Sequence, residues 1–172
     1  MKQIIPATLE DAKALEALVN SAYRGETSKQ GWTTEADLLD GTRVDSGLIA
    51  EQINKSNNTI LKYVVDDKIL ACVELTQEGE TIYLGMLTVS PTLQGKGIGK
   101  EMLRAAEVEA LKQNCHTIFM TVISARKELI DWYVRHGFAN TGKRKPFHFE
   151  DPRFGQPKQA LEFVVLEKKL KK

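Results

Sequence analysis

The segment Tyr83–Lys100, Y-L-G-M-L-T-V-S-P-T-L-Q-G-K-G-I-G-K, leaves few structures open to it. An apolar run ends at Ser90-Pro91, because proline has no N–H to give to a sheet ladder. Glycines follow at 95, 97 and 99, and Ile98–Gln113 then places Met102, Leu103, Ala106 and Leu111 at helical spacing. A strand, a glycine loop and a helix in that order set a row of free backbone N–H groups at a helix start, a ready site for a phosphate. The glycines allow unusual backbone angles and close approach of a ligand to the main chain. In a helix interior each would cost about 1 kcal/mol, so the loop needs them for another reason. The segment reads as a grip on a phosphorylated cofactor.

Spacing separates three glycine-rich loops. A P-loop needs Gly-Lys followed by Ser or Thr to hold magnesium, and here Gly99-Lys100 is followed by Glu101. A dinucleotide fingerprint needs G-x-G-x-x-G; Gly95 and Gly97 fit, but Lys100 holds the third glycine position. The pattern Gln/Arg-x-x-Gly-x-Gly/Ala is met in full by Gln94, Gly97 and Gly99. In this the chain resembles the GNAT family of acetyl-CoA-dependent N-acetyltransferases.

A second segment carries the same resemblance. Thr117–Val122 is a β-branched and apolar run suited to a buried strand. Arg126–His136 then shows Leu129, Ile130, Tyr133 and Val134 at helical spacing, Gly137 stops that helix, and Phe138 opens another strand. The run W-Y-V-R-H-G-F is similar to the family's Y-x-x-x-G-F signature, in which the tyrosine lies near the thioester sulfur and serves as general acid. That residue is Tyr133. The family often has Asn seven residues before it; this chain has Arg126, which either reaches the cofactor's phosphates or opens the helix facing water.

The resemblance implies a great deal more. The fold is expected to be α/β (α+β), a GNAT-like mixed central sheet of six or seven strands flanked by about four helices, with residues 1–172 as one domain. Acetyl-CoA is the expected cosubstrate, with no metal. Its pyrophosphate would lie against Gln94, Gly95, Lys96, Gly97, Ile98, Gly99 and Lys100, and the main chain of Leu87, Thr88 and Val89 would hold the pantetheine and polarise the thioester carbonyl. Lys96 and Lys100 either add charge there or are solvated. The acceptor would be a primary amine of a small molecule or peptide. A homodimer is compatible with this reading.

Acetylating an amine requires removing a proton. An alkylamine has a pKa of about 10.4, so only about one molecule in 10³ is nucleophilic at neutral pH, a deficit of roughly 4 kcal/mol. Glu74 is the candidate base. It shares a strand face with Cys72, opposite Val73 and Leu75, and a glutamate among apolar residues has a raised pKa. The competing reading is a solvent-facing residue on a half-exposed sheet, with a water chain taking the proton instead.

The remaining chain bounds the answer. A formal charge of +1 argues against a dedicated nucleic-acid binder. No apolar run approaches bilayer length and the start lacks a signal peptide's apolar core, so no membrane partner and a cytoplasmic setting are expected. Cys72 and Cys115 are too few and unpatterned for a disulfide framework or zinc site. Lys2–Ala7 reads as a strand and Thr8 with Asp11 as a capping box before a helix reaching Tyr23. Gly47–Asn54 reads as a second helix, and Thr59–Val65 and Ile69–Thr76 as strands joined at Asp66-Asp67. Two late strands are expected near Thr141–Phe147 and Leu161–Leu166.

By resemblance, the segment between the first two helices shapes the acceptor pocket. It holds Tyr23, Glu26, Trp32, Glu35, Asp37, Asp40, Arg43 and Asp45. Tyr23, Trp32 and Glu35 are the candidate substrate-binding residues, since an acidic lining suits a cationic amine and Trp32 would pack on it by a cation–π contact. A solvated surface loop is the alternative for most of them. His116, His136 and His148 read as structural or solvated, with His148 in F-H-F nearest the expected acceptor side. Two other functions share the glycine loop: a non-catalytic acyl-CoA-binding module, and a protein binding ATP or NAD.

Overall fold

The computed structural model describes residues 2–24, 31, 33–36, 39–40, 43–146, 156–157 and 161–171. Seven strands form one sheet: β1 (Lys2–Pro6), β2 (Asn58–Val65), β3 (Lys68–Glu78), β4 (Thr81–Val89), β5 (Thr117–Ile123), β6 (Ala139–Pro146) and β7 (Glu162–Lys169). Their order across the sheet is β1-β2-β3-β4-β5-β7-β6. Every neighbouring pair is antiparallel except β4 and β5, which run parallel. The helices are α1 (Ala12–Tyr23), α2 (Ser46–Asn54), α3 (Ile98–Lys112) and α4 (Lys127–Arg135). A separate two-residue antiparallel ladder joins Leu39–Asp40 to Gln156–Pro157. The mixed α/β architecture expected from the sequence is the one present.

Local chemistry sets the boundaries. Before α1, the Asp11 carboxylate accepts from the Thr8 amide at 2.8 Å and the Thr8 hydroxyl at 3.4 Å, so a short acid takes the place of the usual Glu or Gln. Asp45 caps α2 by accepting from the Leu48 amide at 2.8 Å. The β2–β3 hairpin turns on Asp66 and Asp67, with φ of 50° and 66°, the left-handed pair that a two-residue turn requires. Gly137, with φ of 98°, ends α4. Its amide reaches the Val134 carbonyl and that of Phe138 the Tyr133 carbonyl, both at 3.1 Å, which closes the helix in a Schellman motif.

The alternation of the strands divides the core between the two sheet faces. On one, α1 and α2 cover Ile60, Cys72 and Met86 with Leu15, Val19, Ala22 and Ile49. On the other, α3 and α4 cover Val73, Leu75, Met120 and Leu166 with Met102, Leu103, Ala106 and Leu129. Cys72 and Cys115 are buried free thiols, and burial pushes the Cys72 thiol up to about 12. Among the described residues no helix is long and apolar enough to cross a membrane.

Candidate active site

The site begins where the sheet comes apart. β4 and β5 pair at only three positions, Thr81 with Thr117, Ile82 with Ile118 and Tyr83 with Phe119. Beyond them the strands diverge. On the other edge of β4, the register jumps between Cys72–Thr88 and Glu74–Gly85. Val73 therefore faces both Met86 and Leu87, a β-bulge, and Met86 takes a φ of 54° to make it. A bulge bends its strand and frees main-chain groups from the ladder. The resulting cleft holds two cavities that share Tyr23, Leu87, Leu129 and Tyr133 as walls.

The larger cavity, about 450 Å³, is bounded by Val89, Gln94, Gly95, Gly97, Gly99, Lys100, Trp132 and His136. Gly95 and Gly97 have φ of 83° and 86°, and a Cβ built on either meets no atom within 4 Å, so both face open space. The first bond into α3 runs from the Glu101 amide to the Gly97 carbonyl. Among the described residues, the amides of Gly95 through Lys100 pair with no carbonyl. Amides with no carbonyl partner among the described residues, beside open space at a helix start, match the needs of a diphosphate. The residues present fit the acyl carrier that the sequence implied.

Other residues of the loop act differently. The Gln94 side chain is a staple: its Nε2 donates to Thr33 Oγ1 at 2.6 Å and to the Val89 carbonyl at 3.0 Å. Its Oε1 accepts from the Thr33 amide at 3.3 Å. Ile98 turns its side chain into the core, and Thr88 is buried with its hydroxyl on the Met86 carbonyl at 2.9 Å. Lys96 and Lys100 are exposed, and of the two only Lys100 borders the cavity.

Tyr133 stands where the cavities meet. Its ring packs edge-on against Trp132 and Phe138, at centroid distances of 5.1 and 5.7 Å. Its hydroxyl has no hydrogen-bond partner among the described residues. Burial, with Tyr23 adding to it, raises the Tyr133 pKa well above the ordinary phenol value, so the group stays protonated and able to donate at physiological pH. Tyr23 sits opposite on α1 and donates its hydroxyl to the Leu87 carbonyl at the bulge. It is buried, and burial raises its pKa also.

The smaller cavity, about 120 Å³, lies on the α1 side and carries the charge. Glu35 accepts from Arg24 Nε at 3.0 Å and from Arg126 Nη1 at 3.2 Å. These side chains are between 3% and 9% exposed, so the trio is a buried ionic network. Arg126 also donates to the Thr33 carbonyl and lays its guanidinium carbon 5.6 Å from the centre of the Tyr23 ring. Arg126 thus borders the smaller cavity and not the glycine loop. Arg43 completes the charged lining. Of the acids expected to line the acceptor side, Glu35 is in the described lining, where it meets three guanidiniums. Trp32, Glu26, Asp37 and His148 lie outside the described residues.

Glu74 faces the α1–α2 side, opposite Gly85, and is half-buried. Its Oε2 accepts from Asn58 Nδ2 at 3.1 Å. Burial raises its carboxyl pKa; the Asn58 hydrogen bond and the charges of Arg43 and Lys55 offset part of that rise. It borders neither cavity directly, although Gly85 lines the smaller one and a Cβ there would lie 3.3 Å from Glu74 Oε1. Sequence reasoning passed over Arg24, Thr33 and Trp132, and read His136, which lines the larger cavity, as structural or solvated. The last two carried a signal, since residues four apart on a helix share a face, and their rings stack at 4.3 Å. Trp132 also closes on Gly99, where an added Cβ would meet its ring at 3.1 Å.

A mixed sheet parted at a bulge, with an amide-lined helix start beside the opening, places the chain in the class of acyltransferases. It belongs to the acetyltransferase (GNAT) family, whose model matches residues 16–138. Solved structures agree in fold. The chain is similar to the ribosomal-protein-S18-alanine N-acetyltransferase from Escherichia coli at 13% identity, with 100% of this chain and 96% of that one covered and a TM-score of 0.74. An N-acetyltransferase from Staphylococcus aureus Mu50 gives 17% identity, coverage of 98% and 97%, and a TM-score of 0.74. PaiA N-acetyltransferase from Thermoplasma acidophilum, in complex with coenzyme A, gives 18%, 98% and 99%, and 0.72. No curated protein matches the sequence.

Proposed function

We propose that the protein is an N-acetyltransferase that moves an acetyl group from acetyl-CoA to a primary amine by direct attack on the thioester. One observation carries the reading: Gly95, Gly97, Gly99 and Lys100, whose amides pair with no carbonyl among the described residues, line the same cavity as Tyr133. The cofactor supplies an activated acetyl group, and the main chain at the glycine loop and at Leu87 and Val89 holds it. The similar fold of a protein solved with coenzyme A supports this choice of carrier.

Residue roles follow from chemistry. The amine nitrogen bonds to the thioester carbon as the carbon–sulfur bond breaks, and the thiolate takes the Tyr133 proton. The proton shed by the amine passes to Glu74 through water, because Glu74 lies behind Gly85 and not in the cavity wall. Positioned acid and base groups of this kind contribute about 10²–10⁴-fold. Two assays test the reading together. Acetyl-CoA should raise the melting temperature while ATP and NAD do not, and an amine panel should release free thiol. Stabilisation by ATP or NAD alone would reject it; acetyl-CoA binding without thiol release from any amine would leave a binding module instead.

A further inference from the structure

The charge of the smaller cavity is the property least expected of a site for a cationic amine. Among its described lining residues Glu35 is the carboxylate, and both of its oxygens are taken by Arg24 and Arg126. Arg43 shares that cavity, yet among the described residues no carboxylate reaches ion-pair distance of its guanidinium. Glu74 feels its charge but is engaged by Asn58. A half-buried guanidinium with no ion-pair partner among the described residues is suited to a ligand that supplies the carboxylate.

The backbone that delivers Arg43 is pinned. Asn20 Oδ1, on α1, accepts from the Arg43 amide at 2.6 Å and the Val44 amide at 3.1 Å, and Asn20 Nδ2 donates to the Val44 carbonyl at 2.9 Å. The next residues start α2, with Asp45 capping it and the Ser46 amide donating to Glu16 at 2.6 Å. A charged group on a pinned backbone loses less entropy on capturing a partner than one on a loose loop. Its planar fork matches a carboxylate in two parallel hydrogen bonds.

Resting on the acetyltransferase reading above, we propose that Arg43 is the acceptor-specificity residue and that the acceptor is an amine bearing a carboxylate, of the α-amino acid class. Such a zwitterion carries no net charge into a cavity rich in guanidiniums, whereas a simple alkylammonium is repelled there. The same positive surroundings favour the neutral, nucleophilic form of the amine.

The test compares the common α-amino acids with their carboxamides as acceptors, with thiol release read alongside acetyl-CoA affinity. Wild-type kcat/KM should favour the best acid over its amide by about ten- to a hundredfold, the worth of hydrogen bonds to a charged group. Arg43→Gln should collapse that ratio while acetyl-CoA affinity holds, and Arg43→Lys should restore part of it. Equal use of acid and amide by the wild type overturns the inference and leaves the acetyltransferase intact, as does a ratio that survives in Arg43→Gln. Acetyl-CoA binding with no acid acetylated also overturns it. Failure to bind acetyl-CoA removes the parent reading, and this one with it.

Discussion

Tyr23, the last residue of α1, donates its hydroxyl to the main-chain carbonyl of Leu87, 64 positions further along the chain. The bond ties the end of a helix to the bulge that opens the cleft, and Arg126 covers the same ring from the start of α4. Tyr23→Phe strips a buried carbonyl of its partner, which should cost about 1–3 kcal/mol. Urea denaturation measures that loss, and a fall in kcat with little change in acetyl-CoA affinity would show that the bulge needs this tether.

Tyr133 behaves in the opposite way. Its hydroxyl has no partner among the described residues, so Tyr133→Phe should leave stability within about 0.5 kcal/mol of wild type. Turnover should nevertheless drop by about 10²-fold if the phenol donates a proton to the departing thiolate. Steady-state kinetics with calorimetric titration of acetyl-CoA separates the two effects. Normal turnover would make Tyr133 a packing residue.

The glycine loop should tolerate no side-chain charge. Gly97 has a φ of 86° and opens onto free space, so Gly97→Ala meets backbone strain of roughly 1–2 kcal/mol but no clash. Gly97→Asp adds a negative charge where the diphosphate would sit. It should abolish acetyl-CoA binding while the circular dichroism spectrum is preserved. Unchanged affinity would mean that the carrier lies elsewhere.

Burial holds the Glu74 carboxyl above its ordinary range. The folded protein therefore binds that proton more tightly than the unfolded chain does. Stability is greatest with Glu74 protonated and declines as pH rises from the unfolded pKa through the folded one. Glu74→Gln should remove this decline, visible in melting temperatures measured across acid to neutral pH. If Glu74 accepts the amine's proton, the acid limb of kcat/KM should lie above the usual carboxylate range and vanish in the same variant.

Glu35 holds the ionic network together, and its loss leaves Arg24 and Arg126 without their shared carboxylate. Glu35→Ala should destabilise the protein by about 3–5 kcal/mol, the usual effect of breaking a buried pair on one side. A denaturation midpoint within error of wild type would show that water or another group takes over.

Local chemistry made much of this protein legible before its fold was known. Glycines 95, 97 and 99 demanded a loop of unusual backbone angles, and two of the three take a positive φ. Gly137 announced the end of α4, and the helical spacing of Met102, Leu103 and Ala106 marked a face that is in fact buried. These features depend on neighbours within a few residues, which a sequence displays directly.

The acceptor side was not legible in the same way. Glu35 read as a free acid for a cationic amine, and Arg126 as a phosphate contact or a solvated helix start. The two meet across 91 positions of chain and neutralise each other. Likewise, nothing near Met86 announced that β4 would bulge and part from β5 after three pairs. Sequence determined which segments become strand, loop and helix, because those choices rest on backbone sterics and local hydrogen bonds. Tertiary structure alone decided where charge accumulates and where the sheet opens, because both depend on which distant side chains are forced out of water together.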